Sequence, residues 1–203
     1  MRQDQAEVKR LQQEIGQLKG LMEERDWTGL QAKVNELGAR ASAQGIDSAY
    51  LSWCRAIAHR ELGETEEAVS AISHAALLDP VHPAIARTFH EICDHARQRI
   101  AMEDPSGACI PALYAQLSHM GETDLSSHLA LARYEFARGE VGAAIALVEA
   151  VRVVAPRNLE ACELRMHFAQ ETGDPNAAFF EAMVDDLEVR QATFGVPGTQ
   201  AGC

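Results

Sequence analysis

The densest run of side chains able to do chemistry is His90-Glu91-Ile92-Cys93-Asp94-His95, with Cys109 not far along. Imidazole, thiolate and carboxylate are the groups that hold zinc, so metal binding is the first chemistry to weigh. On a helix His90 shares a face with Cys93 or Asp94, but His95 points elsewhere, and no second ligand pair follows at a known zinc spacing. The pattern therefore predicts no metal ligands, and Cys93 is expected on a packing face, where a free thiol behaves as a small hydrophobe. The other histidines (His59, His74, His82, His119, His128 and His167) are scattered. There is no phosphate loop, no Gly-x-Ser-x-Gly elbow, no dinucleotide fingerprint and no His-Glu-x-x-His. The expectation is a protein that is not an enzyme and carries neither metal nor cofactor.

Charge narrows the partners. The chain has 18 Lys and Arg against 30 Asp and Glu, a formal net charge of −12 over 203 residues. So acidic a chain is a poor match for nucleic acid or an anionic membrane. No apolar run approaches the ~20 residues of a membrane-spanning helix, and the residues through Gly20 are polar where a signal peptide would be apolar. A cytoplasmic protein is expected. Its five cysteines (Cys54, Cys93, Cys109, Cys162 and Cys203) are odd in number and widely spread, as suits thiols kept reduced.

The elements that position any site are helices. Alanine, the best helix former, occurs 34 times. The seven prolines fall where helices should begin or stop, and no stretch alternates as a strand would. A repeat is visible too. From Gly63 the residues Ala68, Ile72, Ala75 and Pro80 follow at steps of five, four, three and five, and the same steps lead from Gly139 through Ala144, Val148 and Val151 to Pro156. Gly173, 34 residues beyond Gly139, is followed by Ala178 and Ala182 at the matching places. This is the spacing of a helix hairpin. The glycine ends one helix in the left-handed conformation, the alanine marks the close approach of its partner, and the proline stops the second helix. A hairpin alone leaves a face uncovered, so such units come in arrays.

The two best units, Ala49 to Pro80 and Leu125 to Pro156, resemble the tetratricopeptide repeat family. They depart from it where its large aromatic is shifted to Trp53 in one unit and is His128 in the other, and where its first-helix leucine is Arg55 in one unit, though Leu131 in the other. The resemblance implies an all-α, right-handed superhelical stack of about four hairpins. The division expected is 1–48 (amino-terminal helices, a divergent first repeat or a dimerisation segment), 49–82 (repeat), 83–124 (divergent repeat with an insertion near 102–107), 125–158 (repeat), 159–193 (last repeat and capping helix) and 194–203 (disordered tail). Helices are expected near 49–62, 66–79, 125–138, 142–154, 159–172 and 175–191, with Asp174 as N-cap and Pro175 at the first helical position. Ile110, Tyr114 and Leu117 are expected to form the inner face of the divergent unit's second helix.

The resemblance also implies a concave surface lined by the first helix of each hairpin. Counting back from each glycine places Tyr50, Trp53, Ile57 and Arg60 there, with Arg87, Glu91, Asp94 and His95 from the divergent unit. Leu129, Arg133 and Phe136 follow, then Glu163, His167 and Gln170. The function this implies is a scaffold or adaptor that binds a peptide or amphipathic helix of another protein. A cytosolic secretion-type chaperone for an export substrate is the alternative. No asparagine accompanies the arginines, so a clamp for a terminal carboxylate is not expected. Val8, Leu11, Ile15, Leu18 and Met22 form a two-heptad seam that could pair two copies or pack on the helix beginning near Asp26. From Leu159 to Arg190 eight acidic residues face two basic ones, as suits a solvated end cap or a surface for a basic segment.

If Ala68 and Ala144 both mark close helix crossings, Ala68→Leu and Ala144→Leu should each destabilise by roughly 1–3 kcal/mol, because added methylenes force the hairpin open. Urea denaturation checks this; unchanged midpoints in both variants would contradict the repeat alignment.

Overall fold

The structure is a computed structural model that describes residues 2–194, with side chains for 13–193. Among the described residues the chain is all-α, with ten helices and no strand. It divides into two compact units. One runs through Arg99 and adds Ala115–Glu122; the other joins Ile100–Tyr114 to the residues from Thr123 onward.

The first unit contains α1 (Arg2–Glu24), α2 (Trp27–Ala43), α3 (Ala49–Glu61) and α4 (Thr65–Leu78). Most of α5 (Pro83–Met102) and the end of α6 (Cys109–His119) complete it. Local chemistry sets the helix starts. Asp26 Oδ1 accepts the Gly29 N–H at 2.9 Å, and Ser48 Oγ accepts that of Leu51 at 3.3 Å, each satisfying an amide the helix leaves open. The turn between α3 and α4 runs through Gly63 at φ 78°. That conformation costs other residues strain, and Ala68 beyond it is 1% exposed. Leu18, Leu30, Val34, Leu37, Leu51 and Cys54 form a core joining α1, α2 and α3, against which Leu21, Met22 and Trp27 pack. Leu18 and Met22 of the seam therefore pack within this unit, and Arg40 ties α2 to Glu14 of α1 at 2.7 Å. Val8 and Leu11 lie outside the residues whose side chains are described.

Two features lengthen the stretch 83–124. Helix α5 has 20 residues where α3 has 13, and a loop over 103–108 follows it. Asp104 Oδ1 shapes that loop by accepting the Ser106 N–H at 2.8 Å. In α6 the buried residues are Ile110, Leu113 and Leu117, with Tyr114 half-exposed, so Leu113 takes the inner place expected of Tyr114.

The second unit contains α7 (Leu125–Ala137), α8 (Val141–Val154), α9 (Leu159–Thr172) and α10 (Ala177–Phe194). Asp124 and Asn158 cap α7 and α9, each accepting a backbone N–H at 2.8 Å. Gly139 and Gly173 turn the chain at φ 84° and 67°. Leu129, Ala144, Val148, Val151, Leu164 and Phe168 make the core. Helix α10 begins at Ala177 rather than at Pro175, because Asp174 folds a tight turn first: its Oδ1 accepts the Asn176 N–H at 2.9 Å. The expected disordered tail lies, beyond Phe194, outside the described residues.

One polar knot holds this unit. Arg165 is 7% exposed, yet its Nε donates to Glu149 of α8 at 3.2 Å and its Nη2 to Asp174 at 2.9 Å. Its guanidinium lies 4.2 Å from the Phe180 ring centroid, so one side chain links α8, α9 and α10. The Asn176 amide and then Arg165 hold the Asp174 carboxyl below its ordinary value. Removing Arg165 takes away two ion-paired hydrogen bonds, the contact with Phe180 and a buried side chain, while Glu149 and Asp174 keep their access to solvent. Arg165→Ala should therefore cost about 2 kcal/mol in urea unfolding, against less than about 0.5 kcal/mol for Arg157→Ala on the surface. Equal costs for the two would contradict a structural role for Arg165.

Candidate protein-interaction faces and a polar cleft

Helix α3 presents Tyr50, Trp53, Ile57 and Arg60 along one stripe, all half-buried. The rings of Tyr50 and Trp53 are 5.6 Å apart, and both pack partly against the unit's core. Trp53 Nε1 donates to Thr88 Oγ1 at 2.9 Å, which fixes the indole against α5. Arg60 donates to Glu91 at 2.8 Å and to Glu61 at 2.7 and 2.9 Å. Arg87 is exposed and has no ion-pair partner among the described residues. The stripe is thus a ridge whose apolar part is Ile57 and the ring edges, and whose cation is already engaged.

The second unit shows a related arrangement. Arg133 of α7 donates to Glu160 of α9 at 2.7 Å. Phe136 stacks on Phe168 with centroids 4.1 Å apart and planes 6° from parallel, and exposed His167 lies 5.8 Å from Phe136. Glu163, half-buried, stands between Glu160 and His167 along α9. One expected residue is corrected: Leu129 is fully buried, in the cluster with Ala161 and Leu164 of α9, and lines no surface. It shares a helix face with Arg133 and Phe136, but α9 covers that end of it.

The metal-like cluster is taken apart by the fold. Cys93 is buried while His90, Asp94 and His95 are exposed, and among the described residues no three such groups could hold a metal ion. Asp94 instead pairs with Arg97, which also donates to Glu122 at 2.9 Å. Burial pushes the Cys93 and Cys54 thiols up to about 12, which favours the neutral form of both. Burial, with Cys54 beside it, likewise pushes the Tyr50 hydroxyl up to about 12.

A feature that sequence reasoning passed over lies on the opposite side of α3. Ser52, Arg55 and His59 there, with Glu66, Ser70 and His74 of α4 and Gln116 of α6, line a cleft of about 550 Å³. Ser52 Oγ and His74 Nδ1 are 2.9 Å apart, and His59 Nδ1 donates to Glu64 at 2.6 Å. Arg55 Nε and Gln116 Oε1 are buried and bond to no protein group. The signal was present in the two departures noted for this unit, Arg55 for leucine and an aromatic shifted off Ser52, since small or polar side chains leave room that large apolar ones fill. Counted from the two turn glycines, Arg55 matches Leu131 in the second unit.

No protein-family model and no curated protein matches the chain. A solved structure titled "MamA MSR-1 C2" is similar over 90% of this chain and 98% of that chain, at 10% identity and a TM-score of 0.42. No helix among the described residues is long and apolar enough to cross a membrane.

Arg55→Leu removes a buried N–H that no protein group accepts and restores the side chain found in the second unit. It should raise stability by about 1 kcal/mol, read as a higher urea midpoint. A lowered midpoint would contradict the view that Arg55 is kept at a stability cost.

Proposed function

We propose that this chain is a non-enzymatic scaffold or adaptor that binds a peptide or helix of another protein on the first-helix faces of its hairpins. The observation that carries this reading is the recurrence of one arrangement in both units. A half-buried apolar ridge, Tyr50, Trp53 and Ile57 in one and Phe136 in the other, stands beside an arginine tied to a glutamate on the next first helix, Arg60 to Glu91 and Arg133 to Glu160. Fixed rings and ion-paired arginines lose little freedom when a partner docks, which favours binding. Apolar ridges framed by polar groups are the usual centre of a protein contact. The net charge of −12 steers basic partner segments toward the chain.

The partner is obtained by affinity capture from the native cell and identified by mass spectrometry. Its affinity is then measured by calorimetry for wild type, Ile57→Glu and Val153→Glu, with circular dichroism confirming the fold. Loss of a central anchor is worth about 2 kcal/mol, so Ile57→Glu should weaken binding roughly thirtyfold. Val153, 81% exposed at the end of α8, should tolerate glutamate with affinity unchanged. Wild-type affinity for Ile57→Glu together with a loss at Val153→Glu would overturn the reading.

A further inference from the structure

We propose that the cleft beside α3 and α4 is a second binding site, one that takes a ligand through a carboxylate received by Arg55. Three observations meet there. The first is an uncommitted cation. Arg55 makes no ion pair among the described residues, although Glu66 and Glu67 also line the cleft, and its buried Nε has no protein acceptor. An arginine so placed offers a planar fork of donors that fits a carboxylate.

The second is the seat of the fork. Arg55 Nη2 lies against Gly38 of α2, 2.7 Å from where a Cβ would stand, so an alanine there would push the flexible end of the arginine aside. The third is an unmatched acceptor, Gln116 Oε1, buried in the same cleft. A complementary ligand thus brings a carboxylate for the Arg55 guanidinium, and a turn of the Gln116 side chain would bring its Oε1 out to an N–H or O–H of the same ligand. The carboxylates of Glu66 and Glu67 disfavour a more highly charged anion such as a phosphate ester. A cleft of about 550 Å³ is of the size that small ligands occupy. The chemistry named is that of an amino acid or of an acidic side chain with its own backbone amide. The site does not depend on the partner faces, because Ser52, Arg55 and His59 lie across α3 from Trp53, Ile57 and Arg60.

The test is NMR on the isotopically labelled full chain in phosphate-free buffer. One arm titrates L-glutamate, and a second titrates an acetylated and amidated Gly-Glu-Gly peptide. Saturable shifts at Ser52, Arg55 and the Gln116 side-chain amide are expected in at least one arm. Saturation by glutamate identifies a free small ligand, and saturation by the peptide alone identifies an acidic segment of a polypeptide. Arg55→Leu should weaken binding about tenfold or more, since a charge-assisted pair is lost. Gly38→Ala, which favours the helix but displaces the guanidinium, should weaken it severalfold, and Arg157→Leu should leave it unchanged. No saturable shift with either probe, or undiminished binding by Arg55→Leu, would overturn the proposal and leave a merely hydrated cleft.

Discussion

The rest of the structure depends on two packed helix pairs, α3 with α4 and α7 with α8, each closed over a buried alanine, Ala68 and Ala144. Both alanines are buried to within 1% of complete, and each follows a glycine that turns the chain at positive φ. A larger side chain in place of either alanine would separate the helices, and a non-glycine at the turn would strain it. Once the hairpin closes, the first helix is held by its partner on one flank and by neighbouring hairpins on others. Its sides then acquire separate duties, and only those left uncovered remain for binding.

Helix α3 shows the consequence most fully. Leu51, Cys54 and Ala58 enter the core with α1 and α2. Tyr50, Trp53, Ile57 and Arg60 form the ridge, and Ser52, Arg55 and His59 line the cleft. Helix α7 follows the same plan with different side chains, Leu131 standing where α3 has Arg55. In α3 the arginine lines the cleft, and its buried Nε, like Gln116 Oε1, has no protein partner. Proteins commonly hold such locally unfavourable groups where a ligand is bound, giving up some stability for function.

What could be read from the residues divides along the same line. The turn at each glycine and the helix spans are backbone properties, set by local chemistry: α3, α4, α7, α8 and α9 lie within a residue or so of their expected limits. Helix α10 starts later because Asp174 bonds to Asn176 before the helix begins, a choice between two uses of one carboxylate that spacing does not reveal. Tertiary cover was less legible. Leu129 has the helical spacing of a surface residue, yet α9 buries it. Arg165 reads as an isolated cation in an acidic segment, and only the fold sets Glu149, Asp174 and Phe180 around it. The cleft stood in the sequence as two departures from a pattern; that they create one space follows from their facing α4 together.

The central claim is that the first-helix faces, and not the exposed ends of the second helices, are where another protein docks. The most direct measurement is site-specific photo-crosslinking in the native cell, with a photoreactive residue placed singly at Ile57, Phe136, Leu77 or Val153. Leu77 and Val153 are each 81% exposed at the ends of α4 and α8, so accessibility alone would favour them. The account predicts that the probes at Ile57 and Phe136 yield a defined adduct with one polypeptide while those at Leu77 and Val153 yield none; adducts from Leu77 and Val153, with none from Ile57 and Phe136, would contradict it.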